Sequence, residues 1–126
     1  MKKIITTLNA PAPIGPYNQA VLINDTLYLS GQIGLNPHSM ELVEVGVKKE
    51  AEQVMKNLKS VLEAAEMNFD QVVKSSIFLS DIADFGQVNE VYGSYFNNES
   101  APASETIAVK TLPKNVRVEI SMIAIK

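Results

Sequence analysis

One carboxylate stands in the middle of an apolar run. In Val116-Arg-Val-Glu-Ile-Ser-Met-Ile123 the period of two puts Val116, Val118, Ile120 and Met122 on one face and Arg117, Glu119 and Ser121 on the other. A carboxylate there costs desolvation free energy unless a cation pairs with it or chemistry uses it, so Glu119 is the leading candidate for acid–base work. Two plainer readings stay open, an edge-strand acid facing water or an acid paired with Lys110 or Arg117. Tyr17 and the Ser30-Gly31 pair offer a phenol, a hydroxyl and exposed backbone amides at a loop and a strand end, where a ligand can reach them. A packed tyrosine and a plain turn are the alternative. Asn89 falls at helical spacing with Phe85, Tyr92 and Phe96, so its amide is either a buried hydrogen-bonder or a group offered to a site.

The rest of the composition narrows the chemistry. Among the 126 residues there is no cysteine and one histidine, which excludes a thiolate nucleophile and a disulfide framework and leaves little with which to hold zinc. That histidine, His38, sits in the turn-rich Asn36-Pro-His-Ser39 with no acid or nucleophile patterned near it, and reads as an exposed turn residue. A net charge of −3 argues against a nucleic-acid binder. Arg117 is the only arginine, hence the only side chain able to present a two-donor fork to a carboxylate. No apolar stretch approaches membrane-spanning length and the N-terminus lacks the apolar core of a signal peptide, so a cytoplasmic location is expected.

These residues must be positioned by a single domain, 1–126, of modest size. Lys3 to Leu8 reads as a strand that ends at Asn9-Ala-Pro-Ala-Pro-Ile-Gly-Pro16, where three prolines exclude helix and regular ladder pairing. Ala20–Ile23 and Thr26–Ser30 flank Asn24-Asp25 as a hairpin, with Gly31 and Gly34 breaking the second strand. Val47, Ala51, Val54, Leu58, Val61, Leu62 and Ala65 mark an amphipathic helix whose charged side is solvated. Gln71–Leu79 reads as a strand. A second helix follows, with Asp84 and Gln87 spaced as a capping box. The last stretch from Ala101 holds two β-branched runs joined at Leu112-Pro-Lys-Asn115. The order βββαβαββ predicts an α+β fold with two helices on one face of a largely antiparallel sheet. Its other face, apolar in Val72-Val73 and Ile77-Phe-Leu79, calls for cover by other subunits.

Several segments together carry a resemblance. Ile14-Gly-Pro-Tyr-Asn-Gln-Ala20, Tyr28-Leu-Ser-Gly-Gln-Ile33, Asn89-Glu-Val-Tyr-Gly-Ser-Tyr-Phe96, Ala101-Pro-Ala103 and Leu112-Pro-Lys-Asn-Val-Arg-Val-Glu-Ile120 resemble the signatures of the RidA family of enamine/imine deaminases along the full chain. The resemblance implies a chorismate-mutase-like fold with a mostly antiparallel six-stranded sheet, a homotrimer with clefts between subunits, and hydrolysis of 2-imino acids to 2-oxo acids and ammonia with no cofactor. It implies a ligand frame of Tyr17, Ser30, Gly31 and Asn89 and a glutamate, Glu119, that positions or activates water. One departure stands out. Where the family's deaminases carry a carboxylate-binding arginine after Pro-Ala this chain has Ser104, and Thr106 stands two residues on, where cysteine is common. A serine hydroxyl offers one neutral donor where the carboxylate wants a charged fork, so weakened deamination and a role as a metabolite sensor or regulator in amino-acid metabolism are expected ahead of an active deaminase. A translation inhibitor or ribonuclease, the family's older labels, ranks last for want of a basic patch or a histidine pair. The implied partners are two further copies of the chain and a small 2-imino or 2-oxo acid, with no nucleic acid and no membrane.

Overall fold

A computed structural model describes residues 1–126. Eight elements follow one another: β1 Lys2–Ile5, β2 Ala20–Ile23, β3 Thr26–Gln32, α1 Val47–Ala64, β4 Val72–Leu79, α2 Phe85–Gly93, β5 Ala103–Ala108 and β6 Val118–Ile125. They form one six-stranded sheet in the order β1-β2-β3-β6-β4-β5, antiparallel throughout except for the parallel pair β4–β5. Both helices lie on one face, as the periodicities predict.

The alternation in β6 decides which face is which. Val118, Ile120, Met122 and Ala124 are buried under α1, and Glu119, Ser121 and Ile123 point the other way. Leu27 and Leu29 of β3 and Ser75, Ile77 and Leu79 of β4 join the buried side. In α1 the spacing of Val47, Ala51, Val54, Leu58, Val61 and Leu62 forms one stripe that closes this core, as expected. Complete burial of Leu58 or Leu62 contributes about 1.5 to 3 kcal/mol each. Asn57 is the polar exception on that stripe, and its amide donates to the carbonyls of Ile33 and Leu35, tying the segment after β3 to the helix. The opposite face of the sheet has no helix on it. Ile4, Tyr28, Val73, Ile107 and Ile125 stay exposed there, crossed by a polar line in which Glu105 accepts from Lys74 and Ser76.

Four local expectations change. β1 stops at Ile5 rather than Leu8, which is exposed; Thr7 bonds to a side chain instead of a neighbouring strand. β3 runs through Gly31 to Gln32, because a register shift against β6 between Leu29 and Gln32 absorbs the irregularity that was expected to end it. The capping box spaced at Asp84 and Gln87 does not form. Asp84 caps nothing with its side chain, Asp81 caps the preceding turn by accepting from Ala83 N, and the reciprocal box is made by Asn68 and Gln71 before β4. Finally, Leu112-Pro-Lys-Asn115 is a turn, with Lys114 and Asn115 at φ of 56° and 55°, yet it does not join neighbours. β5 pairs with β4, and β6 lies on the far side of β4.

Candidate functional site

Glu119 enters its site because β6 presents it on the helix-free face beside β3. Gly31 is the residue that makes room: a Cβ built on it would stand 2.7 Å from Glu119 Oε2 and 2.9 Å from Cδ. The carboxylate therefore lies flat across a strand position where no other residue type fits without displacement. Around it is a cavity of about 80 Å³, walled by Pro11, Ala12, Ile14 and Tyr17 from the proline-rich loop and by Pro113 from the turn before β6. Gln19, Gly31 and Gln32 complete its polar lining.

The electrostatics set Glu119 apart from a paired structural acid. The ion pairs of the chain are Lys48–Glu90 and Lys74–Glu105, so neither Lys110 nor Arg117 neutralises Glu119. Half-burial without a cation pushes the Glu119 carboxyl above the usual carboxylate range. Such a group holds its proton to higher pH than a surface glutamate does. Arg117 is exposed and does not line the cavity; its backbone N–H donates to Glu50 Oε1 at 2.9 Å. No three histidine, aspartate or glutamate side chains converge anywhere in the chain.

Tyr17 reaches the cavity from a tight turn in which its N–H donates to Gly15 O, and its hydroxyl is 3.4 Å from Ile14 N. Its ring is half-exposed, leaving the hydroxyl open to a ligand. Ser30, next to Gly31, donates from Oγ to Asn18 O at 2.5 Å and from its backbone N–H to Gln19 O at 3.0 Å, which fastens the loop to β3.

Asn89, Ser104 and Thr106 lie elsewhere. Ser104 pairs with Ser75 and Thr106 with Ile77, and both of those partners are buried on the helix side of the sheet. Glu119 pairs with Phe78 on the helix-free side. Within one chain Ser104 and Glu119 are thus on opposite faces and two strands apart, roughly 10 Å in the sheet alone. Asn89 does not lie on the apolar stripe of α2: Val88 and Tyr92 are buried and Asn89 is exposed, one turn from Tyr92. Spacings of three and four mark neighbours on a helix but not which side of the stripe faces the core. Tyr92, read only as apolar from the sequence, donates its hydroxyl to Ser75 Oγ at 2.9 Å. Burial raises its pKa, and hydrogen bonding to Ser75 and Ser104 opposes that. Tyr92, Ser75 and Ser104 form a second, neutral polar group at the β5 edge, with Thr106 two residues further along β5. His38 is exposed and outside the cavity.

Known proteins share this fold along the whole chain. A family model described as Endoribonuclease L-PSP matches residues 7–126. The 2-iminobutanoate/2-iminopropanoate deaminase of Mus musculus is 49% identical over all of this chain and 93% of its own. A crystal structure of a Rid-family protein from Yersinia pestis superposes with a TM-score of 0.96 at 44% identity, covering 100% of both chains. E. coli TdcF with bound serine gives a TM-score of 0.92 at 36% identity over 98% of each chain. With matches of this extent on both sequence and structure, the chain belongs to the Endoribonuclease L-PSP family, the RidA family whose motifs it carries.

Proposed function

We propose that this protein hydrolyses small 2-imino acids to 2-oxo acids and ammonia, with Glu119 as its acid–base group. The observation that carries the reading is a half-buried carboxyl without a cation, raised by desolvation, in a cavity whose only other titratable side chain is Tyr17. In the reaction the ionised carboxylate takes a proton as water oxygen bonds to the imine carbon. The carboxyl returns that proton to nitrogen to give a carbinolamine; the carboxylate then takes the hydroxyl proton and passes it to nitrogen, the C–N bond breaks, and ammonia leaves as the carbonyl forms. Tyr17 and the Ser30-Gly31 segment frame the substrate.

The identity to relatives named imine deaminases, 47% for the human protein over the full chain, supports an enzyme ahead of the sensor that Ser104 alone suggested. Ser104 bears on substrate affinity: without a guanidinium the carboxylate end is held by neutral hydroxyls of the β5 edge. Because those hydroxyls and Glu119 occupy opposite faces of one chain, the reading includes a homotrimer in which the β5 edge and α2 of one copy complete the cavity of the next. The helix-free apolar face supplies the surface for such assembly. The ribonuclease label of the family draws no support from a net charge of −3 and a lone, exposed histidine.

The test supplies 2-iminobutanoate in situ from a pyridoxal-phosphate dehydratase and follows 2-oxo acid release. Acceleration by wild-type protein that Glu119→Gln lowers by about 10²-fold or more supports the reading, and acceleration insensitive to that substitution sinks it.

A further inference from the structure

We propose that Gln19 is the positioning residue of this cavity: its buried carboxamide fastens the proline-rich wall over Glu119. Apart from the Ser30 bonds to Asn18 and Gln19 at its C-terminal end, the wall has little else to hold it. Pro11, Pro13 and Pro16 have no N–H, and the only backbone-to-backbone bond made by residues 9–17 runs from Tyr17 N to Gly15 O. Yet Ala10 and Pro11 are buried, and a buried carbonyl requires a donor. Gln19, 3% exposed, supplies it. Its Nε2 lies 3.0 Å from Thr7 O, 3.1 Å from Ala10 O and 2.9 Å from Pro11 O, and its Oε1 accepts from Thr7 N at 2.7 Å. Two hydrogens thus serve three carbonyls, one of them shared. The backbone of Gln19 is itself fixed to the cavity floor, since Ser30 N donates to Gln19 O and Gly31 follows against the Glu119 carboxylate. One side chain joins wall and floor.

The consequence reaches Glu119 through solvent. Pro11, Ala12, Ile14 and Tyr17 wall the cavity that holds it, and burial raises its proton affinity. The groups around it offer no competing cause. Phe78 and, beyond it, Ile107 are apolar on the adjoining strands, Tyr17 is the other titratable group in the lining, and the exposed Arg117 and Lys114 form no ion pair. Gln19→Met keeps the volume and removes all four bonds, so the wall loosens and water enters.

The assignment of a role to that proton affinity rests on the proposed function, and the test therefore uses no substrate. Carboxyl-carbon NMR titration of the full-length protein, with the Glu119 signal identified by its loss in Glu119→Gln, is compared between wild type and Gln19→Met. A downward shift of the Glu119 midpoint toward the ordinary carboxylate range supports the proposal. An unchanged midpoint in a folded Gln19→Met protein overturns it, since a merely structural glutamine would lower the melting temperature and leave that titration alone. Wild-type hydrogen exchange gives a reading that needs no variant: the Thr7 amide should exchange at least about tenfold more slowly than an unprotected amide. Free exchange at Thr7 would equally overturn the clamp.

Discussion

Replacing Gly31 by alanine sets a methyl group against the Glu119 carboxylate, the proposed reacting group. The added Cβ would lie 2.7 Å from Glu119 Oε2, whereas ordinary contact begins at 3.4 Å, so the carboxylate must retreat by about 0.7 Å (3.4 − 2.7). Displacements near 1 Å at a reacting group cost about 100-fold in rate, which places the expected loss in kcat/KM at about 30- to 100-fold, or roughly 2 to 3 kcal/mol. Stability should not follow activity down. Gly31 is not among the residues with positive φ, so alanine fits the strand backbone and gains about 0.5 to 1 kcal/mol over glycine there, offset in part by the displaced side chain. The assay is 2-oxo acid release from an enzymatically generated imine at equal protein concentration, beside a thermal melt. A folded Gly31→Ala protein within about threefold of wild type would refute the reasoning, because it would mean that the position of this carboxylate does not matter to the reaction.

Glu119→Gln should lose activity yet gain stability near neutral pH. Burial raises the native carboxyl, so the folded state keeps a proton that the unfolded chain releases from about pH 4 upward, and stability falls as pH rises through that window. The uncharged variant should melt higher than wild type above the window and match it below; a lower melting temperature at pH 8 would contradict the desolvated carboxyl. Ser104→Arg should raise activity on 2-imino acids at least about tenfold, chiefly through KM, since a charged fork at this exposed β5 position is worth several kcal/mol in a closed cleft. Arg117→Ala should leave activity within about twofold, as Arg117 is outside the cavity; abolition would show that the clamp had moved there. Sedimentation equilibrium should give a trimer, and a stable monomer at micromolar concentration would remove the shared cleft. Mixing wild-type chains with chains carrying both Ser104→Arg and Glu119→Gln should give more activity than either alone, because only mixed assemblies join the new clamp to an intact Glu119. Simple averaging would place the site within one chain.

Local periodicities were legible because they are set by a few adjacent residues. The alternation through Val118, Ile120 and Met122 gave β6 its faces, and the three-and-four spacing from Val47 to Leu62 gave α1 its stripe. Asn24, at a φ of 51°, turns β2 into β3 where a residue tolerant of positive φ was expected. What stayed illegible depends on partners far along the chain. Gln19 reads as an ordinary polar residue until the fold brings Thr7, Ala10 and Pro11 around it. Asp84 and Gln87 have the spacing of a capping box, but the backbone before α2 already turns at Asp81–Asp84, and Asp84 carries helical dihedrals of −81° and −4° that an N-cap does not normally adopt.

The sharpest case is the relation between Ser104 and Glu119. In sequence they belong to one C-terminal stretch and invite placement in one site. Alternation along a strand fixes which residues share a face but not which face is inward, and that choice is made by register: Ser104 pairs with the buried Ser75, Glu119 with Phe78 on the open side. A strand of the intervening β4 separates them as well. On the proposed reading, a group at 104 and a proton carrier at 119 act on one substrate across a subunit boundary. That reading makes assembly a condition of catalysis, and it predicts that substitutions on the exposed face at Tyr28 or Ile107 lower activity in proportion to the trimer they dissolve.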